Sequence, residues 1–247
     1  MLQGIYDFIK GIFQPLGEYL IASNVPVASS FADDIDALIA LIAVFVVFWA
    51  LLAYAAFFFL IFRFRDTGDG RRAQCVTGEE KDLKRWITYP HAAIIVCDLV
   101  IVFMAVMVWY NIKQRLPEPD STVRIISQQW AWNFVHPGPD NELDTDDDIS
   151  TFNELHVEVG KVYHYELLSM DVLHDFSVPV FRLKQDAIPG RVMKGWFEPT
   201  AAGEWDIQCA EMCGIGHGIM GARIIVETPE EHATWMDQGG AGKLAAR

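Results

Sequence analysis

The sequence predicts a two-helix transmembrane hairpin followed by an all-β domain outside the cytoplasm. Three observations carry this. Two runs, 35–62 and 91–110, are almost wholly apolar in a chain of 247 residues that is 52% hydrophobic overall. Beyond residue 117, short alternating segments are separated by Gly and Pro, the pattern of a β-sandwich or barrel. Charge divides at the same point, with 11 acids and 10 bases over 1–116 against 22 acids and 9 bases over 117–247. The net charges are therefore −1 and −13, summing to the −14 of the whole chain. A domain that acidic disfavours nucleic acid and steers a basic partner toward itself.

Residues 1–30 form an N-terminal segment. Ile5, Phe8, Ile9, Ile12, Phe13 and Leu16 recur at helical spacing, which suits a helix lying in the membrane interface or packed on a partner. A signal peptide is the rival reading, weakened by Asp7 and Lys10 and by the lack of a basic start. The hairpin occupies 31–116. Asp33, Asp34 and Asp36 mark a helix start, where the helix dipole favours negative charge. The first span, 35–62, is long enough to cross about 30 Å of hydrocarbon. The loop 63–85 holds Arg63, Arg65, Arg71, Arg72, Lys81, Lys84 and Arg85, so it is cytoplasmic by the positive-inside rule. The second span, 87–110, has Trp86, Trp109 and Tyr110 as interface anchors. His91 and Asp98 stand seven apart on one face of it, the spacing of a satisfied contact with a partner subunit. Cys75 and Cys97 read as unpaired thiols. Both termini then lie on the outer side.

The β-domain covers 117–238, behind the stiff Pro117 and Pro119. Its predicted strands are Thr122–Gln128, Glu154–Val159, Lys161–Leu168, Arg191–Phe197, Glu204–Gln208 and Ala222–Glu227. Residues 140–150 form an acidic loop. Thr228-Pro-Glu-Glu231 is a capping box with Pro at the first helical position, so a short helix follows. Residues 239–247 read as a flexible tail.

The chemistry concentrates in Cys209-Ala-Glu-Met-Cys-Gly-Ile-Gly-His-Gly-Ile-Met220. Two cysteines stand four apart, His217 follows four later and Met220 three after that. Cys209 and Cys213 admit three readings. A disulfide is permitted outside the cytoplasm but gives no reason for His217 and Met220. Zinc takes Cys and His but has no use for a thioether. Copper electron-transfer sites take thiolate, imidazole and a weak thioether. One thiolate too many is present for a mononuclear copper site, whereas two can bridge two ions. Each ion then needs a terminal imidazole, so a second His must come from elsewhere. Among His136, His156, His164 and His174, His174 is the best placed, in a loop between strands. His136 falls in a Pro-Gly-Pro turn, and His156 and His164 fall within strands.

The Cys209–Met220 run resembles the CuA-binding motif of cytochrome c oxidase subunit 2. Asp171-Val-Leu-His174 resembles the segment that carries this family's first histidine ligand. Lys184-Gln-Asp-Ala-Ile-Pro-Gly-Arg191 is similar to its following loop, and Gln129-Trp-Ala-Trp132 to its aromatic cluster. The similarity is dense over 122–236 and looser over 31–116. It implies a cupredoxin-like domain with a mixed-valence copper pair. Cys209 and Cys213 would bridge the coppers, His174 and His217 would be terminal ligands, and Met220 and the Glu211 carbonyl would be axial. The Glu211 carboxylate would be free for a magnesium ion shared with subunit 1, and electrons would enter at Trp130. The partners implied are haem-copper oxidase subunit 1 and further membrane subunits, the lipid of a cell (inner) membrane, and cytochrome c. Haem in subunit 1 would receive the electrons, with O2 reduced there and protons pumped. The chain departs from the family pattern at Ala131, where tyrosine is frequent, and at Leu83, where a glutamate often marks a proton channel. No Cys-x-x-Cys-His haem signature is present. A related nitric oxide reductase would use the same loop. A membrane-anchored copper carrier or structural zinc protein is the reading of another class.

Overall fold

The computed structural model describes residues 1–68 and 77–240. Arg71, Arg72, Cys75 and residues 241–247 lie outside the described residues. Helix α1 spans Leu2–Gly17, α2 Ala32–Arg63 and α3 Lys81–Trp109. A π-helical turn, Tyr110–Gln114, extends α3. Both α2 and the stretch Lys81–Gln114 are long and apolar enough to cross a membrane. The 32 residues of α2 rise about 48 Å, more than the hydrocarbon needs. The excess falls at its acidic start, where Asp33 and Asp34 occupy the first turn, with Arg63 in the last. His91 and Asp98 are both exposed on α3.

The excess of α2 is where α1 docks. Tyr6 is buried, Ile9 and Phe13 pack inward, Lys10 pairs with Asp34, and Gln14 donates to Asp33 over 3.3 Å. Gly17 lies so close that a Cβ would stand 2.7 Å from the Asp36 carbonyl oxygen. The opposite apolar face, Leu2, Ile5, Phe8 and Ile12, stays exposed.

Ten strands follow. They are β1 Ser121–Gln128, β2 Ala131–His136, β3 Ile149–Phe152, β4 Glu154–Glu158, β5 Tyr163–Ser169, β6 His174–Val178, β7 Leu183–Ala187, β8 Met193–Phe197, β9 Gly203–Cys209 and β10 Gly221–Glu227. They make two five-stranded sheets, ordered β3-β2-β1-β5-β8 and β4-β10-β9-β6-β7. The pairs β1–β5 and β4–β10 are parallel and the rest antiparallel, giving a cupredoxin-like sandwich. Trp132, Phe134, Tyr165, Phe176, Phe181 and Phe197 fill the space between the sheets. Helix α4, Pro229–Asp237, closes the end, with the capping box formed between Thr228 and Glu231.

Six predicted strands correspond to β1, β4, β5, β8, β9 and β10. The other four carry weaker signals. β3 and β7 are short edge strands, and β6 buries the polar His174 and Asp175. His136 does not sit in a turn: it ends β2 with its ring buried, and Pro137 follows. His174 likewise begins β6 rather than lying in a loop.

The β-domain is tied to the hairpin by the chain on both sides of it. The 23–31 segment pairs with the sandwich, Ala28 N–H donating to Val180 and Thr200 N–H to Ala28, each over 2.9 Å. Trp196 Nε1 donates to the Ile112 carbonyl over 2.8 Å. Arg182 grips Asp36 of α2 with both ends of its fork, at 2.7 and 2.8 Å, and both side chains are buried.

A second polar cluster lies under α4. His156 and His232 share the Glu227 carboxylate at 3.0 Å each, and Trp235 stacks on His156. His136 accepts from the His156 amide through Nε2, and its Nδ1 meets the Ile149 carbonyl. Burial, then the neighbouring His156, push the His136 pKa down to about 3. Burial raises the Glu227 carboxyl, but its two histidines outweigh that and hold it at about 2. Both depressed groups stabilise the fold at neutral pH. The His136 share is complete above its unfolded pKa of about 6.5 and is lost as pH falls. The Glu227 share persists to about 4.5 before declining toward its folded value. Between pH 6.5 and 4.5, His136 should therefore contribute up to about 1.4 kcal/mol per pH unit of destabilisation. Denaturant titrations of the chain in detergent should show this slope, and His136→Gln should flatten it.

Candidate metal centre

The Cys-rich loop joins β9 to β10. The Cys209 amide donates to the Met220 carbonyl over 3.2 Å and closes the loop at its base. Cys209 also pairs with Phe176 across the sheet, beside His174 at the start of β6. Two adjacent strand ends thus present one His and a ligand-bearing loop to the same point.

His174 Nδ1 stands 3.9 Å from Cys209 Sγ and 3.2 Å from Met220 Sδ. Cys213 Sγ stands 3.7 Å from each of Cys209 Sγ, His217 Nδ1 and Met220 Sδ. Cys209 Sγ is 3.3 Å from the Glu211 carbonyl oxygen. Five side chains and one carbonyl therefore converge. His174, Cys209 and Cys213 alone place one ligand atom each within 4.8 Å of one another, and all three are buried. Both cysteines are free thiols, so the disulfide reading does not describe this loop. Sulfurs 3.7 Å apart are closer than twice a metal–thiolate bond of about 2.3 Å, so one ion can touch both. The set of two thiols, two imidazoles and a thioether is soft, and it fits copper.

The chain also orients its ligands. His174 Nε2 lies 2.8 Å from Asp171 Oδ1, which leaves Nδ1 as the lone-pair nitrogen facing the sulfurs. Burial works against the Asp171 carboxylate, but His174 and the Gln129 and Val172 amides hold its pKa below the usual range. Burial and the Cys209 thiol push Cys213 up to about 11, so it keeps its proton at neutral pH until a cation displaces it. Asp171 and Gln129 have no ligand role in the sequence reading. The one sequence signal for Asp171 is a carboxylate three residues before a histidine in a turn.

Trp130 lies over the loop and is 37% exposed. Its Nε1 donates to the Cys213 carbonyl over 3.3 Å, and Gln129 Nε2 donates to the same oxygen over 2.8 Å. A Cβ on Gly216 would fall 2.4 Å from the Trp130 ring, so only glycine admits it. Trp132 points inward instead and packs edge-on against Phe176 and His174. On the same loop Met212, Ile215 and Ile219 are exposed. The Glu211 side chain faces solvent and accepts from the Met212 amide over 3.2 Å. The other histidines stay apart from this centre, His136 and His156 in the cluster under α4 and His164 on the Pro117 carbonyl.

Residues 149–228 match the family described as cytochrome c oxidase subunit II, periplasmic domain. The alternative cytochrome c oxidase subunit 2 of Bradyrhizobium diazoefficiens is 34% identical over 202 residues, covering 73% of this chain and 71% of that protein. Cytochrome c oxidase subunit 2 of Thermostichus vulcanus is 43% identical over 123 residues, covering 50% of this chain and 35% of that protein. A solved periplasmic domain of cytochrome oxidase subunit II from Bradyrhizobium japonicum is 30% identical, with a TM-score of 0.45, and covers 51% of this chain and 96% of that one. With a relative so similar over most of both lengths, the chain belongs to the cytochrome c oxidase subunit 2 family.

Proposed function

We propose that this chain is the electron-accepting subunit of a haem-copper cytochrome c oxidase. It takes electrons from cytochrome c at a dinuclear copper centre and delivers them to haem in subunit 1, where O2 is reduced and protons are pumped. The observation that carries this is the pair of free thiols 3.7 Å apart, ringed by two imidazoles and a thioether. Cys209 and Cys213 would hold the copper pair as its thiolates, with His174, His217, Met220 and the Glu211 carbonyl as the other donors. Bound there, copper supplies a one-electron couple shared by two ions. The loop, anchored at both strand ends and by Asp171, holds its ligands in one arrangement, which limits rearrangement when charge changes.

The Glu211 carboxylate is left to reach a magnesium ion at the subunit 1 interface. The hairpin sits in a cell (inner) membrane with the β-domain on the outer, periplasmic side. The net −13 of that domain favours a basic donor, with an association that weakens as salt rises.

Trp130 is where electrons enter, because its indole reaches the carbonyl of a ligand residue and is itself partly exposed. Trp130→Leu is expected to slow reduction by cytochrome c at least tenfold, about 1.4 kcal/mol in barrier, with the copper spectrum unchanged. Gly216→Ala should reproduce the defect by displacing the ring. Stopped-flow reduction read beside the optical spectrum tests both, and unchanged turnover would reduce Trp130 to packing.

A further inference from the structure

Little of either span is buried within the chain, and a groove opens between them on the side away from the β-domain. Trp49 and Leu52 of α2 face Trp86, Tyr89 and Ala93 of α3, with Arg85 at the loop end. Its volume is about 500 Å³. From Arg85 to Ala93 is eight residues, a rise of about 12 Å. An extended hydrocarbon chain suits a groove of that length with an apolar lining.

The ends of the groove differ chemically. The deep end is apolar. At the loop end Arg85 is exposed and has no carboxylate partner among the described residues. Its planar fork matches a phosphate, and it lies at the level where Trp86 and Tyr89 suit the membrane interface. Pro90 lacks an N–H, so the Trp86 carbonyl loses its helical donor beside Arg85. A headgroup hydroxyl can supply one.

We propose that this groove binds one anionic glycerophospholipid of the leaflet away from the β-domain. Arg85 takes the phosphate, the Trp86 carbonyl takes a headgroup hydroxyl, and one acyl chain lies between Trp49 and Ala93. The lipid fills the gap that the poorly packed hairpin leaves and fastens α2 to α3.

The test uses the intact complex, purified in mild detergent and washed, with bound lipid counted by native mass spectrometry. Wild type should retain one anionic phospholipid per chain. Arg85→Gln should lose it at least tenfold, and Ala93→Phe, which fills the deep end and leaves Arg85 in place, should lose it too. The copper spectrum controls for assembly of both variants. Phosphatidylglycerol vesicles should restore the lipid to stripped wild type, and phosphatidylcholine vesicles should not. Retention in both variants, equal binding of phosphatidylcholine, or a photocrosslinker at Ala93 that captures a neighbouring subunit instead of lipid would overturn the assignment.

Discussion

Cys213→Ser is expected to abolish the two-copper centre altogether. Cys213 Sγ is the hub of the site, 3.7 Å from Cys209 Sγ, His217 Nδ1 and Met220 Sδ. A hydroxyl is a hard donor with a far higher pKa and does not bridge soft copper ions. Serine leaves one thiolate, Cys209, and with His174, His217 and Met220 it can hold one ion. That is the ligand set of a mononuclear site. The sandwich itself should survive, because its core is made by Trp132, Phe134 and Phe176. Copper quantification and the optical spectrum of the assembled variant should report at most one copper per chain. A preserved two-copper spectrum would refute the bridging role.

Arg182→Ala should cost about 3–5 kcal/mol, the toll of leaving a buried carboxylate without its partner. Asp36 is almost wholly buried, and Arg182 meets it with two bonds while also donating to the Val25, Pro26 and Pro179 carbonyls. Arg182 holds a left-handed backbone, φ 55°, which costs a non-glycine residue about 1–2 kcal/mol. Its many bonds offset that cost. Lysine cannot reproduce a two-ended grip, so Arg182→Lys should be defective as well. Removing both charges in Arg182→Ala/Asp36→Ala should recover part of the loss, since no lone buried charge remains. Denaturant midpoints and protease sensitivity of the 23–31 segment would measure the cycle. A change below about 0.5 kcal/mol in Arg182→Ala would place the pair among inert surface contacts.

How legible these features were in the sequence follows from how local each one is. Cys209, Cys213, His217 and Met220 lie within one loop, so their spacing alone announces a chelate. His174 comes from another strand. Its place between strand patterns makes it the best of four histidines, and the family resemblance points to the same residue. His136 reads as a turn residue because the Pro-Gly-Pro that follows its strand is itself a turn signal, whereas the residue ends β2 with its ring buried. The helicity of α1 is plain from its apolar spacing, but the spacing does not say that α2 covers that face. The Arg182–Asp36 pair, 146 residues apart, has no sequence signature. Asp171 shows why orienting groups are harder to find than ligands: it touches only a ligand's far nitrogen, and any polar residue in a turn has a similar pattern.

The most direct test of the central claim is metal analysis with electron paramagnetic resonance on the intact, oxidised complex. Two coppers bound by this chain, with one unpaired electron coupled equally to both nuclei, is the predicted result. Zinc in the site, or a spectrum from a single copper nucleus, would contradict it.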